Sequence, residues 1–237
     1  MENWIELAHS LWNISLTDEQ QEQFRTYETL LTDWNSKINL TAVRDAEGIH
    51  IKHFLDSLSC VPVLGDMNGR SLIDIGTGAG FPGIPLRIFY PEMQLTLVDS
   101  VGKKADFCRL VVNTLHLKGT TVLKDRSEEL GARKETREKY DAAAARAVAI
   151  LPALCEYLLP LVKTGGTMLA MKGESAPEEV KTAENAVRKL GGGTPSLTAV
   201  TLPGLEDTRY LVRIPKIKPT PAGYPRRTGL PLKKQIL

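Results

Sequence analysis

Cysteine is scarce in this chain: 237 residues contain only Cys60, Cys108 and Cys155. Three thiols far apart in sequence exclude a disulfide framework and a CxxC metal site, and they suit a reduced, cytoplasmic protein. Long apolar runs are also missing. The most apolar stretch, residues 147–162, is interrupted by Pro152, Glu156 and Pro160. It falls short of the roughly 20 apolar residues that a bilayer-spanning helix requires, so no membrane partner is expected. Glu2 and Glu6 break up the apolar residues at the start with no basic segment before them, which does not read as a secretory signal. His50 and His53 lie three apart, yet no cluster of acids or cysteines supplies further ligands, so no metal is expected.

Acid is absent from the last part of the chain. From Arg209 onward there are eight basic residues (Arg209, Arg213, Lys216, Lys218, Arg226, Arg227, Lys233, Lys234) and no Asp or Glu. The rest of the chain carries 22 basic against 28 acidic residues. A basic tail on a mildly acidic body points to a polyanionic partner, or else to a solubilising tail.

What is present divides the chain at about residue 70. Before it the pattern is helical: Thr17 and Gln20 form a capping box, and Phe24, Tyr27, Leu31 and Trp34 make one apolar stripe. A polar break over residues 35–41 precedes a third helix near residues 45–59. From Ser71 strand-like runs alternate with helical stretches, at 71–75, 94–98, 121–124, 140–145 and 167–171. That alternation predicts a parallel sheet covered on both faces. Two more strands, 197–202 and 210–214, follow without an intervening helix and predict an antiparallel terminal hairpin. The resulting division is 1–70, an N-terminal helical segment; 71–216, an α/β domain; and 217–237, a basic tail without regular structure.

The first strand ends in the run LIDIGTGAGFPG, residues 72–83. Glycines there allow positive φ and a close approach of backbone to a ligand. Ligands of open α/β sheets bind at the carboxyl ends of the strands. Those ends carry Gly76 and Gly78, Asp99, Ser127 and Glu128, Arg146, and Lys172. Asp99 lies about 20 residues beyond the glycines, a spacing that suits a carboxylate bound to ribose hydroxyls. The loop also satisfies GxGxxG, so an NAD(P)-dependent oxidoreductase is one reading. The terminal hairpin, and the lack of a Tyr-x-x-x-Lys proton relay, favour a seven-stranded methyltransferase sheet instead. A non-catalytic RNA-binding assembly factor on the same fold is a third reading.

Several strings together resemble one family: DIGTGAGFPGIPL (residues 74–86), LVDS (97–100), RSEEL (126–130), YDAAAARAVA (140–149) and MKG (171–173). WNSKINLTAVRD (34–45), HFLDSL (53–58) and the tail GYPRRTGLPLKK resemble it too. They are similar to the RsmG family, once called glucose-inhibited division protein B. The resemblance implies a class I S-adenosylmethionine-dependent methyltransferase, Rossmann-like, acting on N7 of a guanine in the 527 loop of 16S ribosomal RNA, in the small ribosomal subunit. It implies cofactor contacts at Gly76, Phe81, Asp99, Ser100, Val101, Ser127, Glu128 and Arg146, with Gly78 added from the glycine loop. Asn39, His53, Arg146, Lys172, Arg226 and Arg227 are the RNA-binding candidates, and a monomer is expected.

No general base is expected. Guanine N7 has a free lone pair and loses no proton on methylation, so alignment can carry the reaction. The chain has no Asn/Asp-Pro-Pro-aromatic motif of the kind used on exocyclic amines. It also lacks a Pro-Cys nucleophile, since Cys155 follows Leu154 in an apolar helix pattern. An arginine fork gripping guanine O6 and N7 would block the atom to be methylated. Arg146 is therefore expected to hold cofactor or RNA backbone.

Overall fold

The change of period at Ser71 is a change of architecture. A computed structural model describes residues 4–236. Two helices lead, α1 (Trp4–Trp12) and α2 (Asp18–Ile38). The capping box at the start of α2 forms: Gln20 N donates to Thr17 Oγ1 at 3.2 Å, and Thr17 N to Gln20 Oε1 at 2.9 Å. The Gln20 amide nitrogen also donates to Ile88 O and Phe89 O, so the residue that starts α2 caps the end of α6 (Gly83–Phe89).

The third helix is not uniform. It begins as α3 (Ala46–Ile49), widens into a π-helical turn at His50–Leu55, and closes as α4 (Asp56–Leu58), with α5 (Val61–Leu64) after it. Such widened turns recur at functional sites. Asn35, read as the start of a polar break, is instead buried within α2. Its amide donates to Val43 O and accepts from Thr41 N, which satisfies the connection to α3.

The remaining elements alternate: β1 (Ser71–Ile75), then α6, β2 (Gln94–Asp99), α7 (Gly102–Thr114), β3 (Thr120–Lys124), α8 (Ser127–Ala132), β4 (Tyr140–Arg146), α9 (Leu151–Leu158), β5 (Val162–Lys172), α10 (Ala176–Lys189), β6 (Ser196–Val200) and β7 (Arg209–Pro215). They form one sheet of seven strands in the order β3-β2-β1-β4-β5-β7-β6. The first five strands are parallel, and β7 runs antiparallel to both β5 and β6. The sequence order reverses between β1 and β4, and that crevice at the carboxyl edge is where this class of sheet binds ligands.

Each face of the sheet has its own core. One includes Trp4, Phe24, Tyr27, Phe54, Phe81 and Phe107 with Leu72, Leu97 and Leu169, so the N-terminal helices share a core with the sheet. The other joins Ile73, Ala143, Ala145 and Met168 to α9 and α10. Small alanines in β4 let both layers pack closely on the central strands.

The C-terminal segment departs from the expected free tail. It contains a short helix α11 (Leu230–Lys233) and lies fastened along α8 and α9. The Arg137 fork donates to four carbonyls, those of Gly131, Thr220, Pro221 and Tyr224. The Glu156 carboxylate, fully buried, accepts from Arg226 Nη2 at 2.6 Å, Nε at 2.9 Å and the backbone N at 2.7 Å. Lys216 is also turned inward. Its Nζ donates to Leu159 O at 2.6 Å and lies 3.2 Å from Glu138 Oε1, and burial pulls its pKa down to about 8. Among the described residues no helix is long and apolar enough to cross a membrane, and no three His, Cys, Asp or Glu gather as a metal would require.

Candidate functional site

Asp99 ends β2 with both carboxylate oxygens engaged: Gly78 N donates to Oδ2 at 3.0 Å and Val101 N to Oδ1 at 2.8 Å. These bonds tie the glycine loop to the end of β2, and each oxygen keeps a further lone pair. Gly78 has φ +61°, and a Cβ there would meet nothing nearer than Gly76 O at 4.0 Å. The outer side of the loop is thus an open cradle that a side chain would fill. Gly76 and Gly80 face inward instead. A Cβ on Gly76 would press on Val148 Cγ2 at 2.6 Å, and one on Gly80 would press on Tyr27 Oη at 2.7 Å. Ser100 and Val101 are exposed beside the cradle.

Beneath the loop lies Asp74. Its Oδ2 accepts from Thr77 Oγ1 at 2.6 Å and from Gly83 N at 2.9 Å, while Oδ1 is buried without a partner. Burial pushes its pKa up to about 7. From the other side Tyr27, fully buried, donates to Ala79 O. Apolar periodicity had assigned Tyr27 only to a packing stripe; its hydroxyl also props the loop.

Ser127 and Glu128 open α8 next to the end of β3. Their side chains are already committed: Ser127 Oγ donates to Tyr157 O at 2.6 Å, and Glu128 Oε1 accepts from Gly229 N at 2.9 Å. What they can offer a ligand is backbone at a helix start. The Phe81 side chain turns inward. Its ring is buried, stacked on His53 at 4.6 Å and Tyr27 at 5.4 Å, so the side chain belongs to the core.

Arg146, at the end of β4, lies over the Phe81 ring at 4.9 Å. Its Nη1 donates to Asp56 Oδ2 at 2.8 Å and to Lys52 O at 3.0 Å. The Asp56 side chain is only 2% exposed and also has Arg209 Nη1 at 3.7 Å. One proton assignment satisfies His53: Nδ1–H donates to Lys52 O, and Nε2 accepts from Thr41 Oγ1 at 2.8 Å, whose oxygen accepts from Val43 N. The 3.3 Å separation of His53 Nδ1 from Arg146 Nη2 is then two N–H groups side by side, while Lys52 O accepts from His53 Nδ1 and from Arg146 Nη1. Burial, with Arg146 beside it, lowers the His53 pKa to about 3. The ring is neutral, with its single proton on Nδ1, and positions its neighbours.

The other RNA candidates fare differently. Lys172 is bound inward: Nζ donates to Ala149 O at 2.9 Å and pairs with Glu179 Oε2 at 2.8 Å, and that oxygen accepts Leu151 N at 2.7 Å. The network fixes the turn after β4 and uses two of the three Lys172 Nζ donors. Asn39 caps α2 in the left-handed conformation and accepts from Arg44 at 3.2 Å. Arg226 belongs to the buried Glu156 pair, whereas Arg227 is exposed. The sequence reading missed Asp56, Asp74 and Arg209. Only Asp74 and Asp56 had a signal, each being an acid inside an apolar run. A cavity of about 680 Å³ lies elsewhere, between α1, α2 and the π-helical turn, lined by Trp4, Phe24, His50 and Phe54.

Residues 20–204 match the family model described as rRNA small subunit methyltransferase G. The chain belongs to that family. Proteins named ribosomal RNA small subunit methyltransferase G from Roseiflexus sp. (strain RS-1) and Roseiflexus castenholzii are 48% and 47% identical to it. The first alignment covers 95% of both chains and the second covers all of both. Among solved structures, a putative methyltransferase in complex with the Haloferax volcanii Trm112 activator superposes with a TM-score of 0.59 at 12% identity, over 79% of this chain and 98% of that one. A 16S rRNA (adenine(1408)-N(1))-methyltransferase from Catenulisporales acidiphilia does so at 0.53 and 15%, over 65% and 88%. The fold is that of the class I, Rossmann-like methyltransferases. In this member of the methyltransferase G family, the glycine loop, Asp99 and Arg146 line the carboxyl edge.

Proposed function

We propose that the protein transfers a methyl group from S-adenosylmethionine to N7 of a guanine in the 527 loop of 16S ribosomal RNA. The observation that carries the cofactor assignment is the open cradle over Gly78, closed on one side by Asp99. Bound there, the cofactor supplies an electrophilic methyl group on a sulfonium. Asp99 would accept the ribose hydroxyls through its remaining lone pairs. Ser100 and Val101 would cover the adenine, the Ser127–Glu128 backbone would meet its polar edge, and Gly76 with Phe81 backbone would face the methionine part. Membership of the methyltransferase G family supports ribosomal RNA as the acceptor.

The side chains around the cleft suit a nucleophile that needs no deprotonation. His53 is neutral, and its two ring nitrogens are occupied by Lys52 O and Thr41 Oγ1. Asp74 lies beneath the loop, held by Thr77 and Gly83. Neither is placed to act as a base, and guanine N7 asks for none. Rate enhancement then rests on holding the lone pair in line with the methyl–sulfur bond.

The test is direct. Purified protein, labelled S-adenosylmethionine and small subunits from cells lacking this protein should yield label at one guanine, mapped by cleavage at N7-methylguanosine. Titration with S-adenosylhomocysteine and with NADH should give heat only for the first. Binding of S-adenosylhomocysteine without label transfer to any substrate form would identify a non-catalytic assembly factor instead.

A further inference from the structure

Arg209 has an unusual position for a surface arginine. It opens β7, one strand beyond β5, and its guanidinium turns toward Asp56. The separation of 3.7 Å is too long for a hydrogen bond. Its Nε–H is buried and has no acceptor. Arg146 already takes the Asp56 carboxylate at 2.8 Å. One buried carboxylate therefore serves two arginines and satisfies one.

A cavity of about 130 Å³ lies between them, lined also by Lys172, Met171, Ala147 and Tyr210. Its charges do not balance. Arg146, Arg209 and Lys172 bring three positive charges; Asp56 and the Glu179 partner of Lys172 bring two negative ones. One full positive charge is left at a half-buried place, together with an unpaired donor. Both requirements are met by an anionic oxygen, and an arginine fork binds phosphate oxygens bidentately. A neutral carbonyl of a base would satisfy the donor and leave the charge. The cavity lies on the β5–β7 side of Arg146, whereas the glycine loop and Asp99 lie on its β1–β2 side.

We infer that Arg209, with Arg146 behind it, forms a socket for one phosphodiester of the substrate RNA next to the target nucleotide. The inference rests on the proposed rRNA methyl transfer. Seating a phosphate there fixes the strand on the β5–β7 side of Arg146, so the neighbouring base reaches across Arg146 toward the methyl group. Arg209 is a positioning residue in this arrangement.

The test compares wild type with Arg209→Gln and Arg209→Lys, each first checked for an unchanged melting temperature and unchanged S-adenosylhomocysteine affinity. RNA binding is measured across a salt series with a fragment carrying the target loop. Loss of one phosphate contact flattens the slope of log K against log salt by roughly 0.7 to 0.9, and Arg209→Gln should show that change. Arg209→Lys keeps a point charge and loses the fork, so it should keep the slope while raising KM for RNA several-fold. A wild-type slope and KM in both variants overturns the socket, as does weaker binding by the Gln variant with no change of slope. Should Arg209→Gln fail to fold, the KM of the Lys variant decides alone, and a wild-type value overturns the inference. Failure of wild type to methylate any rRNA instead removes the functional reading, and the salt series separates that outcome from failure of the socket.

Discussion

Replacing Arg226 by alanine should destabilise the whole protein, although the residue lies in what looked like a solvated tail. Glu156 is fully buried and, among the described residues, its carboxylate has no partner but Arg226, which supplies the guanidinium at 2.6 Å and 2.9 Å and a backbone N–H at 2.7 Å. Removing one member of a buried pair leaves an uncompensated charge and costs about 3–5 kcal/mol. The backbone donor survives in the alanine variant, which places the expected loss near the lower figure. For a chain of this size each kcal/mol lowers Tm by roughly 2–4 °C, so a drop on the order of 10 °C should appear in a thermal melt, with a matching shift in urea midpoint. The double variant Glu156→Leu, Arg226→Met removes both charges and should recover most of the loss, because apolar replacements of buried pairs are often neutral. An Arg226→Ala protein within about 1 kcal/mol of wild type, the range of exposed ion pairs, would refute the reasoning and return Arg226 to the solvated face.

Three further outcomes are expected. Between about pH 4 and 6.5 the slopes of stability from Asp74 and His53 oppose each other. The raised Asp74 pKa, about 7, makes the native state hold the extra proton, so stability falls as pH rises; the lowered His53 pKa, about 3, does the reverse. Each is worth about 1.4 kcal/mol per pH unit. Urea unfolding across that window should show Asp74→Asn losing stability on acidification and His53→Gln gaining it; parallel pH profiles for the two variants would contradict the assignment. Lys172→Met should weaken S-adenosylhomocysteine binding several-fold by calorimetry, since it frees the turn whose Val148 packs on Gly76, and it should flatten the salt slope of RNA binding, because Lys172 is one of the three positive charges around the Arg209 cavity. Changing the exposed Arg227, Lys233 and Lys234 together to Gln should flatten that salt slope at unchanged Tm, and an unchanged slope would remove this segment from the RNA contacts.

How much of this was legible follows from what periodicity can encode. The strands of the sheet declared themselves because buried parallel strands are short apolar runs bounded by turns, and the antiparallel end followed from two strands with no helix between them. The positions of Gly78 and Asp99 at the carboxyl edge were legible because topology sets where the strands end. The packing of the Phe81 ring was hidden for a reason of the same kind. Its position after the glycines is a local fact, but the stack of His53, Phe81 and Tyr27 joins three segments far apart in the chain. No local pattern reports that. The charges were the least legible. Counting basic residues after Arg209 treats them as equivalent, yet Lys216 and Arg226 are spent on buried acceptors, Arg209 turns toward a shared carboxylate, and Arg227 faces solvent. The acids that decide this, Asp56, Glu138 and Glu156, all lie at least 70 positions earlier in the chain. A proline-rich segment without periodicity can therefore be firmly held, provided that its partners are hydrogen-bond acceptors on another part of the chain and not an apolar stripe of its own. Removing residues 217–237 would strip Glu156 and Glu128 of their donors as well as deleting cations, so a truncation mixes unfolding with lost RNA contacts, and substitution of the outward-facing residues separates them.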